Sequence, residues 1–134
     1  MLRPEWFNKV CSKYLPGHLG INVKQINGLE LIAELPIKKY LMAPNEYLHA
    51  GAIVTLADTC AGYGCLANLP DKAIGFTTIE LKSNFLGTAR NGTIVCFAKP
   101  VHSGKNTQVW DARITHKDTD KRMALFRCTQ MILY

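Results

Sequence analysis

The sequence predicts one α+β domain spanning residues 1–134, in which about six antiparallel strands wrap a single long helix. Three observations lead there. From Ala50 to Leu69 the only charge is Asp58. A surface helix shows a charged face, so a helix this apolar is expected in the core. Two strand-length runs precede it and four follow, most of them bounded by turn residues. The chain is also long enough for one domain to bury a core without disulfide or metal staples.

The elements follow in order. Pro4 to Tyr14 reads as a short helix, ended by Pro16-Gly17. Gly20 to Ile26 and Leu29 to Leu35 flank Asn27-Gly28, the strongest short hairpin signal. Pro36 to Pro44 is a loop. The long helix runs from Ala50 to Leu69 and is closed by Pro70-Asp71. Ala73 to Leu86 alternates, with Ile79, Leu81 and Phe85 on one face and Thr78, Glu80, Lys82 and Asn84 on the other. Asn91-Gly92 turns the chain into a strand from Thr93 to Val101, and Ser103-Gly104-Lys105-Asn106 turns it again. Gln108 to His116 and Arg122 to Leu133 complete the set, with Asp118-Thr119-Asp120 between them.

Composition narrows the classes. Hydrophobic content of 48% and charged content of 19% are globular values. No window reads as long and apolar enough to span a bilayer, so no membrane partner is expected. The first residues, Met1-Leu2-Arg3-Pro4-Glu5, lack the apolar stretch and small-residue cleavage site of a signal peptide. Five cysteines show neither a CxxC pair nor metal-ligand spacing. The expectation is free thiols, a cytoplasmic location and no metal.

The net charge is +6, and nine of the sixteen Lys and Arg residues lie from Lys82 onward. No basic cluster is interleaved with aromatics, and no zinc or helix-turn-helix pattern occurs, so nucleic acid is not the expected partner. The excess fits a phosphate-bearing small molecule, and equally fits solubility.

The chemistry concentrates around residues 45 to 58. His49 precedes the helix, and Ala50 and Gly51 occupy its first turn, where backbone N–H groups lack intrahelical acceptors. The helix dipole adds positive charge there, and small side chains admit a ligand carbonyl. That makes an oxyanion site, or merely a tight turn into the helix. Asp58, a lone acid on an apolar helix, is costly unless paired. It is either a chemical group or a structural acid capping a neighbouring loop. It lies eight residues beyond Ala50, about 12 Å along the axis. Groups serving one carbonyl must sit about 3 Å from the reacting atoms. Ala50 and Asp58 of one chain can hardly do so, which points to a homo-oligomer, a dimer or a dimer of dimers, with composite sites.

His49-Ala50-Gly51 with an acid nine residues after the His resembles the phenylacetate-pathway type of hotdog-fold acyl-CoA thioesterases. Leu56-Ala57-Asp58-Thr59, Ala61-Gly62-Tyr63 and the run from Gly75 to Leu86 carry the resemblance further, and it covers the chain from about Leu19 onward. It implies a hotdog fold and hydrolysis of an acyl-CoA thioester to free acid and coenzyme A, with no cofactor beyond the coenzyme A of the substrate. By the same resemblance the Ala50 N–H polarises the thioester carbonyl and Gly51 supports the turn. Asp58 acts as general base on water or as nucleophile forming an anhydride. Thr78 orients the water, or is an ordinary strand threonine. His49 contacts the thioester or orients the loop. The family often places an Asn or Gln seven residues before the oxyanion residue. Ala43 stands there, and Asn45 is two places off, reaching the carbonyl by another path or only turning the chain after Pro44. Lys82, Arg90, Lys105 and Arg113 are the candidates for the coenzyme A phosphates. The Ser103-Gly104-Lys105 turn lacks the spacing of a phosphate-binding P-loop.

Two other readings compete. A hotdog dehydratase pairs a His base with an acid, usually on a different helix motif. A non-enzymatic acyl-CoA-binding or ligand-sensing module would keep the pocket and dispense with the acid. Asp58 nine residues past His49 disfavours the first, and Asp58 together with Thr78 disfavours the second.

Overall fold

The structure, a computed structural model, describes residues 2–134. Its sequence of elements is α1 (Pro4–Cys11), α2 (Leu15–Leu19), β1 (Asn22–Asn27), β2 (Glu30–Pro36), α3 (Ala50–Ala67), β3 (Gly75–Phe85), β4 (Thr93–Ser103), β5 (Thr107–His116) and β6 (Arg122–Leu133). The six strands form one antiparallel sheet in the order β1-β2-β4-β5-β6-β3. α3 lies across one face. It packs on β2, β4, β5, β3 and β6, so a single helix closes the core.

Alternation builds that core. Ala33, Cys96, Ile114 and Ala124 share the helix-facing side, and each is fully buried against α3. Leu56, Ala57, Cys60, Ala61 and Cys65 supply the helix side of the contact. Glycine allows the closest approach: a Cβ at Gly64 would meet the Trp110 ring at 2.4 Å. Trp110 is fully buried, and its indole donates to Gln108 Oε1 at 2.8 Å.

Several boundaries differ from the sequence reading. Pro16-Gly17 does not simply end the first helix. It falls within a second short helix, α2, with Pro16 in its first turn, where a missing N–H costs nothing. The loop after β2 contains a 3₁₀ turn at Lys39–Leu41. By length and hydropathy (18 residues, mean 1.3), α3 does reach the range of a membrane span, contrary to the expectation, although 56% of it is buried against the sheet. Nor is α3 buried all round. Val54, Thr55 and Asp58 on one side, and Tyr63 on another, are only half-buried.

The largest revision concerns β3. Its pairing with β6 shifts register between Thr78 and Glu80, leaving Ile79 as a β-bulge. Beyond the bulge, Leu81 pairs with Cys128 and Ser83 with Phe126, both helix-facing. Before it, Phe76 pairs with Ile132 and Thr78 with Gln130, which also face the helix. Thr78 therefore does not share a face with Glu80, Lys82 and Asn84, as strict alternation suggested. The extra residue turns its hydroxyl toward α3.

Candidate active site

The predicted site residues gather in two clusters on α3. At the N-terminus His49 is the cap residue, with extended backbone (φ −67°, ψ 136°), and its Nδ1 accepts the Gly51 N–H at 2.7 Å. With Nδ1 taken up as an acceptor, Nε2 is the ring nitrogen left to donate. The His49 carbonyl takes the Ala52 N–H. Ala50, at the first helical position, has no intrahelical acceptor, and no backbone or side-chain group among the described residues accepts its N–H. One amide is thus capped, and the adjacent one is left open at the positive end of the helix dipole.

The loop before the helix is held by local hydrogen bonds. Met42 bridges Leu48, the Ala43 N–H donates to the Tyr47 carbonyl at 2.7 Å, and the His49 N–H donates to the Leu41 carbonyl at 3.0 Å. Asn45 Oδ1 accepts the Tyr47 N–H at 3.2 Å, an Asx turn. Glu46 follows with φ of +66°, a left-handed conformation which the turn imposes.

The second cluster lies two turns along α3. Thr78 Oγ1 is 3.2 Å from Asp58 Oδ1 and 2.8 Å from Gln130 Oε1, and Gln130 Nε2 donates to Cys128 Sγ at 3.4 Å. Burial raises the Asp58 carboxyl above the ordinary aspartate range, and the Thr78 hydroxyl opposes that rise. Among the described residues the side-chain partner of Asp58 is Thr78 of β3, and no loop group bonds to it. Among the described residues no cation pairs with it. It is a carboxylate whose proton affinity is set by burial and one hydroxyl.

Gln130 was not singled out from the sequence. The signal was present: on β6 the inward positions read Ala124, Phe126, Cys128, Gln130 and Ile132, one amide in an apolar row. Gln130 is fully buried.

The four basic candidates are not brought together. Arg90 lies beside the helix N-terminus, where its guanidinium stacks 4.4 Å from the Tyr47 ring and donates to the Tyr47 hydroxyl at 2.9 Å. With Lys39 it lines a cavity of about 410 Å³ over the 42–46 loop. Lys82 and Arg113 lie on the opposite face of the sheet, in a groove of about 710 Å³, with Arg113 4.9 Å over Phe97. Lys105 sits in the β4–β5 turn, where its carbonyl accepts the Tyr134 hydroxyl at 2.6 Å. Lys39, next to Lys38 in the loop after β2, was not singled out from the sequence. No group of three metal-ligating side chains occurs among the described residues, and all five cysteines are unpaired.

This geometry can be compared with known proteins. A thioesterase superfamily model matches residues 45–122, a span that holds the helix N-terminus, Asp58 and Thr78 and ends before Cys128 and Gln130. A 1,4-dihydroxy-2-naphthoyl-CoA hydrolase of Listeria monocytogenes is 31% identical over 111 residues, covering 83% of this chain and 89% of its own. An acyl-coenzyme A thioesterase, PaaI, of Escherichia coli is 27% identical over 121 residues, covering 90% and 80%. The crystal structure of a Haemophilus influenzae thioesterase superposes with a TM-score of 0.93 at 26% identity, covering 99% of this chain and 92% of that one. The sheet order, the single long helix and these matches agree: this chain has the hotdog fold and belongs to the thioesterase superfamily.

Proposed function

We propose that the protein hydrolyses an acyl-CoA thioester to the free acid and coenzyme A, at sites built from two copies of the chain. The observation that carries this reading is the pairing of a free Ala50 N–H with a half-buried Asp58 eight residues on, about 12 Å apart along one axis. Each is half of a site. The Ala50 N–H and the helix dipole stabilise negative charge on the thioester oxygen. Asp58 of the other copy takes a proton from water as the water oxygen bonds to the carbonyl carbon. The C–S bond then breaks, and the proton passes to the departing thiolate. Direct attack by Asp58, through an anhydride that water hydrolyses, uses the same placement.

The second copy has a natural seat. β3 is an edge strand of eleven residues, with one side of its backbone unpaired. It exposes Ile79 (51%), Leu81 (41%) and Phe85 (46%). A long apolar edge recruits another strand. Antiparallel pairing of two β3 strands about a twofold continues the sheet and sets the α3 helices side by side in opposite directions, bringing Asp58 of one copy toward Ala50 of the other. Arg90 and Lys39 flank the helix N-terminus, so they are the cations best placed for the substrate's phosphates. A cytoplasmic location suits the five reduced thiols. The acyl group is decided by assay: thiol release measured across short, long and aryl acyl-CoAs should show turnover on at least one. No release from any thioester would overturn the reading.

A further inference from the structure

A hydroxyl has one proton, and Thr78 faces two acceptors. Its oxygen lies 2.8 Å from Gln130 Oε1 and 3.2 Å from Asp58 Oδ1. One pattern that fits these distances sends the Thr78 proton to Gln130 Oε1 over the shorter separation, with Gln130 Nε2 donating to the Cys128 sulfur and Asp58 donating its own proton to Thr78. That pattern is complete only when Asp58 is protonated. An ionised Asp58 would meet a lone pair of Thr78, at a site burial has already made unfavourable for charge.

The same four groups allow the reverse pattern. If the Gln130 amide turns by 180°, Nε2 donates to Thr78 Oγ1, the Thr78 hydroxyl donates to Asp58, and the Cys128 S–H donates to Oε1. Every group is again satisfied, and the carboxylate now receives a bond. Cys128 can serve in both senses because it keeps its proton: burial first, then the nearby Asp58 charge, push its thiol up to about 12. Gln130 has no access to water that could stand in for either partner, being fully buried.

We infer that Gln130 is a positioning residue for Asp58, its amide turning over with Asp58 ionisation and thereby directing the Thr78 hydroxyl toward or away from the carboxylate. The inference deepens the proposed reaction and rests on it for its catalytic meaning. In hydrolysis Asp58 must start ionised and gain a proton from water. Gln130 makes both states hydrogen-bonded without moving a backbone atom. The titratable groups facing this cluster are the Cys128 thiol from β6, the Cys65 thiol from α3 and, acting on Cys128, the Glu80 carboxylate of β3. From β4 the inward thiol is Cys96, which faces Cys60 instead. β5 presents Trp110, which is hydrogen-bonded to Gln108, and β2 presents apolar Leu31 and Ala33.

The test reads the amide directly in the wild-type protein. The chain has three glutamines, at 25, 108 and 130, so side-chain ¹⁵N labelling resolves them. Below the Asp58 titration the Gln130 amide protons should show nuclear Overhauser contacts to the Cys128 β-protons. Above it the contacts should pass to the Thr78 methyl. In Asp58→Asn the change with pH should disappear. Identical contacts on both sides of the Asp58 titration would overturn the inference, whether or not the protein hydrolyses thioesters. A second arm uses activity. Gln130→Met, similar in volume and without hydrogen bonds, should lower kcat about three- to tenfold at neutral pH. It should leave KM near wild type and move the acid limb of the pH profile upward, in the direction Thr78→Val moves it. A merely structural glutamine would alter stability and leave that limb in place, which would contradict the inference.

Discussion

His49 Nδ1 accepts the Gly51 N–H at 2.7 Å, so the side chain that opens the family motif also closes the first turn of α3. The bond removes one orphan amide and leaves the Ala50 N–H alone at the helix mouth. His49→Ala should therefore lower stability by about 1 kcal/mol, as loss of a helix cap does. Activity should fall with it, because the turn presenting Ala50 loosens. Asn caps a helix through its side-chain oxygen, so His49→Asn should recover the stability. If His49 acts only as a cap, His49→Asn also recovers turnover; if Nε2–H touches the thioester, it does not. Denaturant melts and steady-state kinetics on the two variants separate these.

Asp58 links activity to stability with opposite signs. Asp58→Asn should reduce kcat by about 10²–10⁴-fold, the usual loss for a general base. It should also raise the melting temperature at neutral pH. Burial raises the folded-state pKa of Asp58 above its unfolded value. The wild-type protein is therefore favoured by Asp58 below the unfolded pKa and loses that contribution as pH rises through the folded one. The advantage of Asp58→Asn should shrink as pH is lowered toward 4, near the ordinary aspartate pKa. Thermal melts at neutral and acid pH check it. An Asn variant with near-wild-type thiol release would remove Asp58 from the chemistry.

The β3 edge yields a prediction about assembly. Ile79 and Leu81 are 51% and 41% exposed on an unpaired strand. Replacing both with Lys sets like charges on the edge, the device natural proteins use to block strand pairing. The double variant should run as a monomer in light scattering and lose thiol release while keeping its circular dichroism spectrum. An active monomer would be incompatible with composite sites.

Much of this was legible in the sequence, for identifiable reasons. The Ala50–Ala67 helix stood out because eighteen residues carry one charge, and the β1–β2 hairpin stood out because Asn27-Gly28 demands a turn. Thr78 was placed on the wrong face because alternation assumes a regular ladder, and one bulged residue, Ile79, inverts everything before it. Gln130 was hidden for a related reason: its meaning depends on the register of β6 against β3, and Thr78 and Gln130 are fifty-two residues apart in the chain. The basic residues were read as a set because charge sums along a sequence. In three dimensions the sheet divides Lys82 and Arg113 from Arg90.

The composite site is tested most directly by mixing two inactive variants. Ala50→Pro deletes the open N–H and little else: proline is tolerated at the first helical position, and His49 already has the extended backbone a following proline requires. Asp58→Asn deletes the base. After subunit exchange at equal concentrations, half the dimers are hybrids, and each hybrid holds one intact site of two. Thiol release should recover to about a quarter of the wild-type value. Hybrid dimers that form and release no thiol would show that Ala50 and Asp58 serve the same site within one chain, and would contradict the account.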